Sequence, residues 1–494
     1  MQPRRVKSRL GCSPCKQYHI LCDRSGNPCN NCKKRGRECT GIVPIVQWQP
    51  GKAFSRSVGK QDTRKKAPRP SSPSKIQTSS TDFLVKPAIC SEIVETSPSS
   101  DFNSTFQHEI PVPKVLITPF ANADPRLLSM FFHGGTVEIM SAFESSRNPI
   151  KSSIYQMLQE SELVLHTAQM CASMTTGNDQ GDCTNFNKAI TLRLLRQALM
   201  SESQLYSESV LVSILLLGMF QSYGNQMTCD TCHIRAAREL LRKRYQSQMS
   251  TPSYIISTFL YWETFVSFLY DDDDLIDEQL MAGRLGGAAE LRSDLESRCE
   301  PLVGFSGGLF RILGYSGRYV RKAHSLGYQD EMEAYSLESA LLSWQLPNHL
   351  VILAGTADIH EILTTAELYR YTGLATLYQV APFLLEATST ESKVYLASLG
   401  QKMCQMLQSI AVEKPAWTVL FFPTLIAASI LPPESWSQFS ILVDAIASVS
   451  QFRGSIWVQR FISLIIAARR GNSATGAVTW LAGLDSTGWD MLLG

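Results

Sequence analysis

No segment of this 494-residue chain reaches the roughly 18–20 consecutive apolar residues needed to span a bilayer. The longest apolar runs, Val210–Phe220 and Trp417–Leu431, are interrupted by Ser213 and Gly218 and by Pro423. The segment Met1–Arg9 is basic and holds no apolar stretch of the signal-peptide kind. The cysteine count, 13, is odd and no export signal is seen, so a disulfide framework is not expected. The expectation is a soluble protein of a reducing compartment, with no membrane partner. Alternating strand patterns are few. Neither HExxH nor a phosphate loop ending in Lys-Ser/Thr occurs, and the scattered Ser, His and Asp residues form no catalytic constellation. Only the size of the later part of the chain, large enough to enclose a pocket, speaks for an enzyme. A ligand there reads as an effector rather than a substrate, and the expectation is no enzyme.

What is present is unevenly distributed. Hydrophobic residues make up 44% of the chain, too many for disorder throughout. The length corresponds to about three ordinary domains. The net charge is only +2, yet residues 1–75 hold 18 Lys+Arg against 3 Asp+Glu, a net +15, while the remainder holds 28 against 41, a net −13. A basic head on an acidic body points to a polyanion-binding arm joined to something that polyanions repel.

Three zones follow. Residues 1–41 are short, basic and cysteine-dense. Residues 42–120 read as a disordered, Ser/Pro-rich linker: Ala67–Phe120 holds 23 Ser, Thr and Pro and very few aromatics, so it cannot bury enough apolar surface to offset its ordering entropy. Residues 121–494 are apolar and periodic and read as all-α, one large helical domain or two intimately packed ones. Asp124-Pro125 is a helix start, with a capping carboxylate and a proline whose missing N–H costs nothing there. Leu127, Leu128, Phe131 and Phe132 then form one face, and Gly134-Gly135 stops it. Thr251-Pro252 opens a second helix running to about Tyr270. Further helical patterns lie near 153–174, 187–202, 208–223, 233–247, 336–346, 357–379, 391–412, 435–450 and 455–470.

The head carries the most specific signal. Cys12, Cys15, Cys22, Cys29, Cys32 and Cys39 are spaced C-x2-C-x6-C-x6-C-x2-C-x6-C, two copies of C-x2-C-x6-C offset by 17 residues. Each C-x2-C pair can place two sulfurs on one metal ion. Structural zinc takes four ligands in a tetrahedron at about 2.3 Å. Two ions therefore need eight bonds, and six thiolates supply them only if two cysteines bridge both ions. Iron–sulfur spacings do not fit. About 30 residues cannot build a core without such a staple.

Gly11-Cys12-Ser13-Pro14-Cys15-Lys16, Cys22-Asp23, Pro28-Cys29-Asn30-Asn31-Cys32 and Cys39 together resemble the fungal six-cysteine binuclear zinc cluster, the DNA-binding module of a large class of fungal transcription regulators. The resemblance covers about 30 residues. It implies two Zn ions per chain, bridged by Cys12 and Cys29. It also implies two short helices carrying the ligand pairs, the first of which reads a base triplet, often CGG, in the major groove of double-stranded DNA. The insert here departs from the family pattern. Lys16-Gln17-Tyr18-His19-Ile20-Leu21 carries one permanent charge where the family usually has several, and Leu21 stands where a cation is usual. Lys16, Tyr18 and His19 are the candidate base-contacting residues. Base contacts specify and phosphate contacts position, so this composition predicts relaxed specificity.

Phosphate binding is better supplied. Arg4, Arg5, Lys7 and Arg9 precede the cluster, and Lys33, Lys34, Arg35 and Arg37 sit in its second half. Lys33–Arg37 and Arg64-Lys65-Lys66 also read as nuclear import signals, so the expected location is the nucleus. Many regulators of the class follow the cluster with a coiled coil. Gly41–Gly59 instead contains Pro44, Pro50, Gly51 and Gly59 and no heptads, which leaves binding as a monomer or as a homodimer formed through the helical body.

In the body, Thr258–Phe265 lies within an apolar helix and, with the helix after Asp124, is similar to the fungal-specific regulatory domain that follows many zinc clusters. Its aromatic residues read as core. Asp271–Asp274 read as the cap and first turn of a following helix through Leu275, Ile276 and Leu280, with an acidic partner-binding surface as the alternative. Cys229-Asp230-Thr231-Cys232-His233 spells the haem-attachment pattern but lacks an export signal and reads as coincidence. The expected function is a zinc-dependent, sequence-specific transcription factor acting on RNA polymerase II transcription through the transcription machinery or co-regulators, for a metabolic or biosynthetic gene set. The alternative, motivated by Tyr18–Leu21, is an interaction protein whose head no longer reads DNA.

Overall fold

A computed structural model describes residues 29–36, 116, 118–143, 148–175, 181–221, 231–270, 299–346, 357–385, 389–449, 456–471 and 479–487. The chain divides into two compact units, Met1–Val94 and Glu95–Gly494. In the first unit the described element is α1, Asn30–Lys33. The second contains α2 (Pro125–His133), α3 (Pro149–Met157), α4 (Glu162–Thr175), α5 (Gly181–Met200), α6 (Glu208–Gln221), α7 (Thr231–Gln246), α8 (Ser253–Leu269), α9 (Gly307–Leu326), α10 (Glu331–Ser343), α11 (Ala357–Val380), α12 (Ser389–Gln408), α13 (Phe421–Ile430), α14 (Trp436–Val449), α15 (Ile456–Gly471) and α16 (Thr479–Thr487). Among the described residues there is no strand, only one isolated bridge between Glu300 and Gly304. The all-α expectation holds.

The start of α2 forms as its sequence predicts. Asp124 caps it, accepting from the N–H groups of Arg126 (2.8 Å) and Leu127 (3.4 Å). Leu127, Leu128, Phe131 and Phe132 are all buried, and Gly134 ends the helix, followed by Gly135 at φ +100°. Other elements differ from the periodicity. The pattern over 153–174 resolves into α3 and α4, because the chain turns after Met157 and restarts where the Ser161 hydroxyl accepts from Val164 N at 3.3 Å. The pattern over 336–346 starts earlier, at Glu331, because Asp330 caps α10 through Glu333 N at 3.0 Å. Helix α9 has no counterpart in the periodicity: Gly307, Gly308, Gly314 and Gly317 depress its helical propensity. Helix α13 tolerates Pro423 because the proline sits in the first turn, where its missing N–H has no partner to lose.

The core is organised around α8, whose residues from Ser257 to Leu269 are all buried. A helix apolar on every side belongs inside other helices. It packs along α9, with α6 and α7 also against it, and α9 packs on α11. Aromatic rings join these elements: Phe265 lies 5.5 Å from Phe422 of α13, Phe310 of α9 lies 4.7 Å from Tyr369 of α11, and Phe422 lies 5.5 Å from Trp480 of α16. Thr258–Phe265 is therefore core, as its composition predicts. Inside it, Glu263 is paired with Arg238 of α7, whose Nε donates at 2.9 Å.

Close packing explains two glycines that interrupt otherwise helical sequence. A Cβ at Gly218 of α6 would meet Trp262 Cη2 at 1.9 Å, and one at Gly317 of α9 would meet Ser267 Oγ at 2.1 Å. Trp262 is fully buried and has no room to retreat. Gly218→Ala is expected to destabilise the body by about 1–3 kcal/mol through overpacking, although alanine is the better helix former. Urea unfolding checks this; unchanged or raised stability would show that the indole is not fixed.

Candidate functional site

The described part of the head is the second C-x2-C pair. Cys29 adopts extended backbone (φ −68°, ψ 152°) and caps α1, its sulfur accepting from Cys32 N at 3.4 Å. The turn is closed by Lys33 N donating to Cys29 O at 2.9 Å and Lys34 N to Asn30 O at 2.9 Å. It ends at Gly36, whose φ of +57° is the left-handed conformation glycine adopts without a Cβ clash. This geometry turns both cysteines inward, at 0% and 2% exposure, and leaves Asn30, Lys33, Lys34 and Arg35 exposed. Thiolate sulfur is the form of cysteine that binds metal. The donor set therefore fits zinc: two buried sulfurs on one short turn, with cations facing outward. Among the described residues no acidic group pairs with Lys33, Lys34 or Arg35, so their charge is available to a polyanion.

The other predicted site residues lie outside the described residues: Arg4, Arg5, Lys7, Arg9, Cys12, Cys15, Lys16, Tyr18, His19, Cys22, Arg37 and Cys39. So do Asp271–Asp274, together with Cys229 and Asp230 of the haem-like pattern. Cys232 and His233 open α7, and His233 is buried beside Ile234 and Ala237 on its inward face. Among the described residues no group of three His, Cys, Asp or Glu side chains gathers to hold a metal.

The sequence also contains a spacing that motif reading passes over: Gly304-Phe305-Ser306-Gly307-Gly308 is a Gly-x-Ser-x-Gly. In hydrolases that spacing presents an exposed serine on a strand-to-helix turn. Here Ser306 is 1% exposed and stands at the start of α9, with no strand among the described residues 299–305 before it. Its backbone carbonyl accepts from Phe310 N at 2.9 Å, so its role is to begin a helix. The adjoining cavity, between Leu302, Phe310, Ile362 and Tyr369, holds no more than about one water, and the same is true of a second between Met140, Leu215 and Tyr254. No helix among the described residues is long and apolar enough to cross a membrane.

Two family models match the chain. One, described as the fungal specific transcription factor domain, covers residues 126–494, and the other, described as the fungal Zn(2)-Cys(6) binuclear cluster domain, covers residues 10–49. Both are domains of transcription factors, not of enzymes. No curated protein and no solved structure matches. The binuclear cluster domain binds two zinc ions. Chelation is expected to release two zinc ions per chain while leaving the helical ellipticity and melting of the body almost unchanged, because among the described residues of the body no metal ligand set gathers. Metal analysis with circular dichroism checks both parts, and collapse of the body on chelation would overturn the second.

Proposed function

The chain belongs to the fungal specific transcription factor family, and from that premise we propose how its parts divide the work of a DNA-binding regulator. Residues 1–41 are the zinc-folded DNA-binding head, 42–120 a flexible tether and 121–494 the regulatory body. Cys12, Cys15, Cys22, Cys29, Cys32 and Cys39 hold two zinc ions, with Cys12 and Cys29 shared between them. The cations at Arg4, Arg5, Lys7, Arg9, Lys33, Lys34, Arg35 and Arg37 settle the head on phosphates. Lys16, His19 and Tyr18 reach base edges, in a CGG-type triplet or a relaxed form of it. The body acts in the nucleus on RNA polymerase II transcription, through co-regulators and as a homodimer, for a metabolic or biosynthetic gene set. The observation that carries this reading is the repeated six-cysteine spacing with its flanking cations, supported by the exposed Lys33, Lys34 and Arg35 around two inward-facing cysteines.

A second reading has its own observation. With one permanent charge between Cys15 and Cys22, the head meets DNA without addressing a sequence, and the chain works as a co-regulator recruited by partners.

Two measurements test these readings. With about eight phosphate-facing cations, duplex affinity of the full zinc-loaded chain is expected to fall by roughly 10³–10⁵ between 50 and 200 mM salt; a salt-independent affinity rejects the electrostatic role of the head. Lys16→Ala with His19→Ala is expected to reduce discrimination between cognate and scrambled duplex by about 1–3 kcal/mol per lost base contact. Unchanged genomic occupancy of that variant favours the co-regulator reading.

A further inference from the structure

The exposed side chains of the second C-x2-C turn are not equivalent. A helix advances by about 100° per residue. Cys29 and Cys32, both buried, define the inward side of α1. Lys33 and Arg35 then fall to opposite flanks, about 70° and 90° from that side. Lys34 falls opposite, about 170° away, with Asn30 one turn before it on the same outer side. The turn itself holds this register: Lys34 N donates to Asn30 O at 2.9 Å, and Lys34 keeps helical backbone at φ −63°, ψ −22°. Asn30 and Lys34 are both exposed. Residues 29–36 hold three cations and no acid, and among the described residues no ion pair engages Lys34.

The internal repeat gives this outer position its meaning. With an offset of 17 residues, Asn30, Lys33 and Lys34 correspond to Ser13, Lys16 and Gln17. The single permanent charge between Cys15 and Cys22 therefore matches Lys33, a flanking position. The position that Lys34 occupies is neutral in the first copy. Of the two copies, the second is the one with a cation at that outer position.

We propose that Lys34 and Asn30 read base edges in the major groove while Lys33 and Arg35 hold phosphates on either side. The assignment rests on the reading of the head as a zinc-folded DNA-binding module, and it separates Lys34 from the other cations of that module. The major groove is about 12 Å wide and admits one helix. A turn entering outer side first brings its crest to the base edges and its flanks to the groove walls, where the phosphates lie. The residue types suit both tasks. An ammonium donates to guanine O6 and N7, and an asparagine amide pairs with adenine N6 and N7. On the flanks a cation of either kind serves, since phosphate is recognised by charge. Asn30 and Lys34 are about 6 Å apart along the helix, and bases rise by about 3.4 Å. The element read is therefore a guanine with an adenine about two base pairs away.

The test is binding of the full zinc-loaded chain to a duplex it selects from a randomised pool and to the scrambled form of that duplex. Lys34→Ala is expected to narrow the ratio of the two affinities by about 5–150-fold, with the loss confined to one G·C pair when base pairs are changed in turn. Asn30→Ala is expected to narrow it at an A·T pair about two steps away. Lys34→Gln is expected to move the preference at the G·C pair toward adenine, which a glutamine amide can pair with. Lys33→Ala is expected to weaken both duplexes alike and to lower the salt slope by about 1, as loss of a phosphate contact does. Two zinc ions per chain in each variant confirm that the cluster is intact. If Lys34→Ala acts as Lys33→Ala does and Lys34→Gln moves no preference, Lys34 is one more phosphate contact, which rejects the proposal and leaves the DNA-binding reading standing. A chain that binds duplex but enriches no sequence rejects the proposal and favours the co-regulator reading. A chain that binds no duplex rejects the DNA-binding reading as well.

Discussion

A helix with no solvent face has nowhere to hide a charge, and α8 is such a helix. Glu263 lies in it at 1% exposure, so its carboxylate requires a cation delivered through the packing, and Arg238 of α7 supplies it. Removing one partner of a buried pair leaves an uncompensated charge at a cost of about 3–5 kcal/mol, so the approach of α7 to α8 is fixed by electrostatics as well as by shape. The other neighbours are fixed by volume. Trp262 lies against Gly218 of α6, and Ser267 and Phe268 lie against Gly317 of α9. The aromatic contacts that carry the order outward to α11, α13 and α16 start from the same helix, at Phe265 and Phe268.

That arrangement decides which parts of the fold are legible in the sequence. Helix α2 announces itself because its cap, its apolar face and its glycine stop are local. Helix α9 does not, because Gly317 looks like a helix breaker until the side chain of Ser267 is seen beside it. Gly218 and Pro423 likewise look like interruptions of apolar runs. The first is a contact with an indole more than 40 residues away, and the second is harmless only because a helix begins there. Local chemistry can be read along the chain; close approach between distant helices cannot.

The head obeys a different rule. In its described turn, residues 29–36, the deeply buried side chains are both cysteines, so the order of that turn comes from sulfur rather than from apolar area. Ligand spacing is a local property, which is why the metal module is readable from six positions. In the same turn Lys33, Lys34 and Arg35 stay exposed.

Separating the charges has a consequence for selectivity. On the proposed reading, the cations that flank the cluster would bind phosphate, which every duplex offers equally, while the insert between Cys15 and Cys22 would bring a single permanent charge to the bases. One such head gains affinity faster than it gains discrimination. The proposed homodimer would change the balance, because the second binding event would become intramolecular and succeed only where two half-sites lie within reach of both heads. Spacing then carries information that the individual base contacts lack. In that proposed arrangement the net negative charge of the body would assist, since a duplex repels it.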